Sequence, residues 1–221
     1  MDKAAAEAKI KGIFGTYTSL VGSWKADGLT DGKLYELYVL SRVIEDLASR
    51  GFRLRFIGSS LKFKAAPGYV HQTDPHFDVF SPGSTSPDFQ LFTDIEIETL
   101  GSAQLSHKDD GCHHELDIAV IDAGIAGGRP THEQVALGVE CKAVAGFGKN
   151  LVREALGLRR ELSLLAGEAP SRLAQALRRL HPLVPAEPPS ELWVAFIDPK
   201  GMNYWRSPAV FGVDLRHWPP T

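Results

Sequence analysis

Two short segments constrain this chain more than any other feature. Glu115–Asp122 reads ELDIAVID and 134–144 reads QVALGVECKAV, both nearly continuous apolar runs of strand length. Runs of this kind belong to strands covered on both faces, so helices are expected above and below a sheet. Yet Asp117, Glu140 and Lys142 stand inside them, with 22 residues between Asp117 and Glu140. Unpaired charges are costly to bury, so charges retained on core strands need partners. Alternation along a strand puts Glu140 and Lys142 on one face. A divalent cation between two carboxylates is an efficient partner, and Mg²⁺ suits a few hard oxygen ligands while keeping several waters. Lys142 is placed to hold or deprotonate an attacking water and to offset phosphate charge.

The rest of the chain supplies the covering layers. Weak helical spacing at Ile10, Ile13, Phe14 and Tyr17 precedes a strong helix that begins at Thr30 or Asp31, either suited to cap it. Leu34, Leu37, Tyr38, Val43, Ile44 and Leu47 carry that helix to Gly51. Residues 52–57 alternate as a strand, and 89–100 form another, with Ile95 and Ile97 between Asp94, Glu96 and Glu98. Prolines, glycines and histidines make 65–87 a loop-like insertion. A helix is expected over 149–166, with Leu151, Ala155, Leu158, Leu162 and Leu165 as its apolar stripe and Lys149, Arg153 and Arg160 on another side. A second helix is expected over 171–180, a proline-rich break over 181–189, and a last buried strand over 192–198. The pattern predicts one α/β domain over 1–221, with its core at about 30–200.

ELDIAVID followed by GVECKAV, with KLYELYVL in the first core helix, resembles the PD-(D/E)XK nuclease superfamily. The resemblance runs from about Lys33 to Leu165. It implies the restriction-endonuclease-like three-layer fold, a central mixed sheet flanked by helices. It implies metal binding by Asp117 and Glu140, assistance to the hydrolytic water by Lys142, and Glu36 as a further ligand or water-orienting base. It also implies that Lys149 and Arg153 face the phosphate, with Arg160 on the same side of their helix. The expected protein is a Mg²⁺-dependent nuclease, with Mn²⁺ able to substitute, acting on DNA and alternatively on RNA. Restriction or anti-phage defence is the family's habit, and a homodimer or partner protein would serve double-strand cleavage. A catalytically silent nucleic-acid-binding or scaffolding member is the alternative. Here the family aspartate follows Leu116; the literal Pro87-Asp88 is separated from Glu140 by 51 intervening residues and lies in a loop-like setting.

Composition agrees with a globular protein and adds one asymmetry. Residues 145–221 carry 10 Lys and Arg against 7 Asp and Glu, whereas residues 1–144 carry 14 against 20. A basic part beside an acidic part is compatible with phosphate contact next to a carboxylate site. Cys112-His113-His114-Glu115 hints at zinc, but adjacent ligands chelate poorly and no second pair has suitable spacing. Three arginines and a histidine between Glu168 and Glu187 form a second basic stretch without acids. No apolar run is long enough for a membrane span, no secretory signal is expected, and two separated cysteines point to a reducing cytoplasm.

Overall fold

The computed structural model describes residues 1–64 and 66–221. Helices α1 (Lys3–Phe14) and α2 (Asp31–Arg50) come first, followed by strands β1 (Arg53–Ile57), β2 (His76–Phe80), β3 (Phe89–Glu98), β4 (His113–Asp122) and β5 (Val135–Lys142). Helix α3 (Lys149–Leu162), β6 (Leu164–Pro170), α4 (Arg172–Ala176), β7 (Leu183–Glu187), β8 (Glu191–Phe196), α5 (Arg206–Ala209) and β9 (Val213–His217) complete the chain. Seven strands make one mixed sheet in the order β1-β2-β3-β4-β5-β8-β9, while β6 and β7 pair separately. Neighbours are antiparallel from β1 to β5; β5, β8 and β9 run parallel.

Both faces of the sheet are covered, as the continuous apolar strands require. On one face Ile10 and Phe14 of α1 and Leu37, Ile44 and Leu47 of α2 pack with Ile118, Val120, Leu137 and Val139. On the other, Ala155, Leu158 and Leu162 of α3 pack with Ala119, Ile121, Leu192 and Val194. Thr30, not Asp31, caps α2: its Oγ1 accepts from Lys33 N at 3.2 Å, and Gly51 closes the helix at φ 108°.

Several expectations are corrected. The loop expected over 65–87 contains β2, in which Phe77 and Val79 supply core contacts and the intervening Asp78 is buried against Arg55 and Gln90. Its polar alternate residues disguise it as loop. Ala65 lies outside the described residues. The helix expected to reach 166 stops at Leu162, because Leu164–Pro170 forms β6 and pairs with β7; Leu165 is therefore 61% exposed. The second helix stops at Ala176, and Arg178 turns the chain with a φ of 55°. The proline-rich break holds β7, and β9 follows the strand expected to be last. Ile10, Phe14 and Val213 place core residues outside the expected limits of 30–200.

Candidate active site

The sheet changes its face pattern at two aspartates. In β3, Phe89 and Leu91 face α2, but Ile95 and Ile97, which keep the same alternation in the sequence, pack on the α3 side. The inversion occurs at Asp94, whose φ of 49° is uncommon for a residue with a side chain. In β4, Ile118 and Val120 face α2, whereas Leu116 lies on the α3 side. Asp117 is the point of inversion there. Thr93 pairs with Ile118 and Ile95 with Leu116, so the two aspartates stand opposite one another.

Asp117 also marks where β4 and β5 part. Their ladder ends in this direction at Ile118–Val139, and one step further Asp117 faces Glu140 by register. The Asp117 carboxylate replaces the missing ladder bond, accepting from the Cys141 backbone N–H at 2.6 Å. Glu140 and Lys142 lie on one face, as alternation predicts, and their side chains meet at 3.0 Å. Glu154 of α3 holds Lys142 from the other side at 2.5 Å. From α2, Glu36 reaches the cluster with Lys33, whose ammonium pairs with Glu36 at 2.7 Å and with Asp94.

Asp117 thus stands between two groups: Glu36 with Lys33 and Asp94 on the α2 side, and Glu140 with Lys142 on the α3 side. Four half-buried or buried carboxylates stand beside two ammonium groups. Burial pushes the Glu36 carboxyl up to about 7; Lys33 opposes the shift, while Asp94 and Asp117 reinforce it. Burial and then Asp117 push Glu140 up to about 7, against Lys142. Asp117 is raised too, by burial, although the Cys141 N–H works against this. For Lys142, burial favours the neutral amine but Glu140 and Glu154 outweigh it, and the side chain stays an ammonium. In this arrangement it is a hydrogen-bond donor and a counter-charge.

The donor chemistry fits a hard divalent cation: oxygen ligands only, more negative charge than the local lysines cancel, and carboxyls whose charged form burial disfavours. Asp117 and Glu140 are best placed to hold it, with Glu36 on the α2 side. Among the described residues, no group of three or more His, Cys, Asp and Glu side chains encloses a single metal position. Mg²⁺ does not require one, since it is commonly bound through one or two carboxylates with water and phosphate oxygens completing the shell.

Other sequence candidates sort by environment. His114 Nδ1 meets Glu161 at 2.8 Å and lines a small cavity with Glu140, Lys142 and Glu154. Cys112 and Cys141 are free thiols in separate settings. Asp88 is a turn residue, accepting from Ser81 N at 2.8 Å. Arg172, in the second basic stretch, is committed to Asp122 at 2.6 Å. Lys149, Arg153 and Arg160 are exposed on α3, away from the Glu154–Glu161 face that borders the carboxylates. Sequence reasoning missed Asp94 and Lys33. Lys33 carried a usable signal, lying one helical turn before Glu36; Asp94 was hidden among the eight acids of 71–111.

Comparison with family models, curated proteins and solved structures finds no match. No helix of the described chain is long and apolar enough to cross a membrane.

Proposed function

We propose that this chain is a Mg²⁺-dependent nuclease of the restriction-endonuclease-like fold, hydrolysing phosphodiester bonds in DNA. The observation that carries the reading is the carboxylate excess at the parting of β4 and β5, where Asp117 and Glu140 face each other beside Lys142. The α/β layers support it, because they bring Glu36 to that same parting from a separate helix. A bound Mg²⁺ would lower the pKa of a water molecule and offset charge on the phosphate. Asp117 and Glu140 would hold the cation, and Glu36 would orient water from the α2 side. The Lys142 ammonium would donate to a non-bridging phosphate oxygen or to the attacking water, stabilising negative charge as it builds up. Glu140 and Glu154 keep that ammonium beside the carboxylates.

A second reading, a nucleic-acid-binding protein of the same fold that does not cut, draws on the lack of a three-ligand enclosure among the described residues. One experiment separates the two. Purified protein is incubated with supercoiled plasmid and with RNA, in Mg²⁺ or Mn²⁺, alongside Asp117→Ala, Glu140→Ala and Lys142→Ala. Metal-dependent cleavage of DNA, lost in all three variants, is expected. Intact nucleic acid with the wild type in both metals would overturn the nuclease reading.

A further inference from the structure

A second surface lies at the same end of the sheet. Lys142 pairs in register with Phe196 on parallel β8, so the segment after β8 emerges beside the end of β5 that carries the carboxylates. That segment is pinned in place. Phe147 packs on Phe196 and Tyr204 at ring distances of 4.7 and 6.0 Å, and Asp198 accepts from Phe147 N at 2.8 Å. Gly201 permits the close fit, since a Cβ there would stand 2.3 Å from the Phe196 ring. Between this segment and the start of α3 runs a groove of about 640 Å³.

The groove combines cations with exposed flat and apolar groups. Lys149 and Arg153 form one wall; Met202, Tyr204, Trp205 and Arg206 form the other. No acidic residue lines it, and none of its three cations makes an ion pair among the described residues. Trp205 is 48% exposed, with the Arg206 guanidinium 5.6 Å from its ring centroid. A large aromatic left half in water beside unpaired cations is complementary to a ligand having both negative charges and flat faces. Single-stranded nucleic acid offers both, phosphates for the cations and unpaired bases for the ring. A duplex offers the phosphates but keeps its base faces stacked.

We infer that this groove binds an unpaired strand of the nucleic acid, with a base stacked on Trp205 and phosphates on Lys149, Arg153 and Arg206. The inference rests on the nuclease reading for its place in a reaction, but its test does not need cleavage. Binding of labelled oligo-dT, of an oligo-rU and of a blunt duplex is measured by fluorescence anisotropy in EDTA, using the full chain. An unpaired strand of one or both kinds should bind more tightly than the duplex and quench tryptophan fluorescence. Trp205→Ala should weaken unpaired-strand binding roughly tenfold and abolish the quench, while Trp205→Phe retains most of the affinity. The Lys149→Ala, Arg153→Ala double variant should lower the salt-dependence slope by about 1.4. Melting followed by circular dichroism checks that each variant is folded.

Equal strand binding by Trp205→Ala, a preference for the duplex, or equal binding of polyglutamate would overturn the groove assignment. Cleavage is scored separately in Mg²⁺. A strand bound through Trp205 but left uncut by the wild type upholds the groove and overturns the nuclease reading. Cleavage by a protein whose strand binding ignores Trp205 does the reverse.

Discussion

The two ends of the β5–β8 pair hold buried charge in opposite ways. At the end where β8 starts, Glu191 is 3% exposed and pairs with Arg50 through two hydrogen bonds, at 2.7 and 3.1 Å. Ser171 Oγ donates to it at 2.7 Å, and Asp46 holds Arg50 from its own helix. Arg159 of α3, buried without an acidic partner among the described residues, is tied to the Ser190 carbonyl and hydroxyl. Glu191 is matched there by Arg50, whose guanidinium also lies 5.2 Å from the Trp193 ring centroid. At the other end, Glu36 and Asp94 share Lys33, Glu140 and Glu154 share Lys142, and Asp117 is held by the Cys141 N–H without an ion pair among the described residues. A balanced network is what a fold needs to bury a charge. An unbalanced one, left in a place where the sheet opens, is destabilising unless something positive arrives. On the proposed reading, the difference separates structural ion pairing from a site that takes a cation, a distinction that burial alone does not make.

Exchanging the same chemical change between the two ends is the strongest way to break this comparison. Glu191→Gln leaves Arg50 with Asp46 alone, and removing one partner of a buried pair costs about 3 kcal/mol. For a domain of this size that lowers Tm by about 6–12 °C. Glu140→Gln instead relieves repulsion with Asp117, so at pH 8 without metal its Tm should stay level or rise by about 3 °C. In the same variant, Mg²⁺-dependent cleavage should fall by about 10²–10³-fold or more. Calorimetry and a cleavage time course read both quantities. A Tm loss in Glu140→Gln as large as that in Glu191→Gln would mean that both ends are structural, and the contrast would be void.

How much of this contrast was legible in the sequence varies by residue. Asp117, Glu140 and Lys142 announced themselves because charge inside an apolar strand conflicts with burial, whereas Glu36 was named only through the resemblance, which implies a glutamate in the first core helix. The helix starting at Thr30 and the strands around 115–122 and 134–144 were readable from periodicity and cap chemistry alone. Asp94 was not readable. Phe89, Leu91, Ile95 and Ile97 alternate without a break in the sequence, and nothing there reports that the backbone inverts between Leu91 and Ile95. The inversion is set by pairing with β4, a contact between residues far apart along the chain. β2 was lost for a related reason: His76 and Asp78 look like loop residues until Gln90 and Arg55 are brought beside them. The end of α3 was misplaced because Leu165 keeps helical spacing, although its segment pairs as a strand with β7.

Acidity offers a gentler probe of the same difference. Glu36 and Glu140 hold protons in the folded chain up to about pH 7, whereas an unfolded glutamate releases its proton near 4.5. Between those values the folded state binds more protons, so metal-free stability should fall as pH rises through the window. Lys33 and Lys142 remain charged throughout it and add no slope. Asp31 and Asp198, held below the ordinary value of 3.8, act only at lower pH. His114, raised by its bond to Glu161, contributes the same falling trend, above its ordinary 6.5. Melting at successive pH values in EDTA should therefore show a decline from about pH 5 to 7, flattened in Glu36→Gln with Glu140→Gln except for the shares of Asp117, Glu115 and His114, which are raised as well. Added Mg²⁺ should raise Tm more at pH 8 than at pH 5.5. A metal effect independent of pH would remove the link between these carboxyls and the cation.

The smallest expected effect concerns Glu154, which lies on the boundary between the two kinds of pairing. Its carboxylate binds Lys142 as tightly as any partner in the cluster, yet its side chain is 51% exposed. Exposed ion pairs contribute about 0–1 kcal/mol, so Glu154→Gln should shift Tm by no more than about 3 °C. Lys142 would keep Glu140 and gain freedom to swing toward a phosphate. Cleavage should then change by only a few-fold, and upward, with the gain seen in kcat and little change in KM. Lys142→Met gives the scale for comparison, because it removes the ammonium itself and should abolish cleavage. If Glu154→Gln loses as much activity as Lys142→Met, Glu154 is the anchor that sets the lysine's position, and the boundary of the site moves from β5 out onto α3.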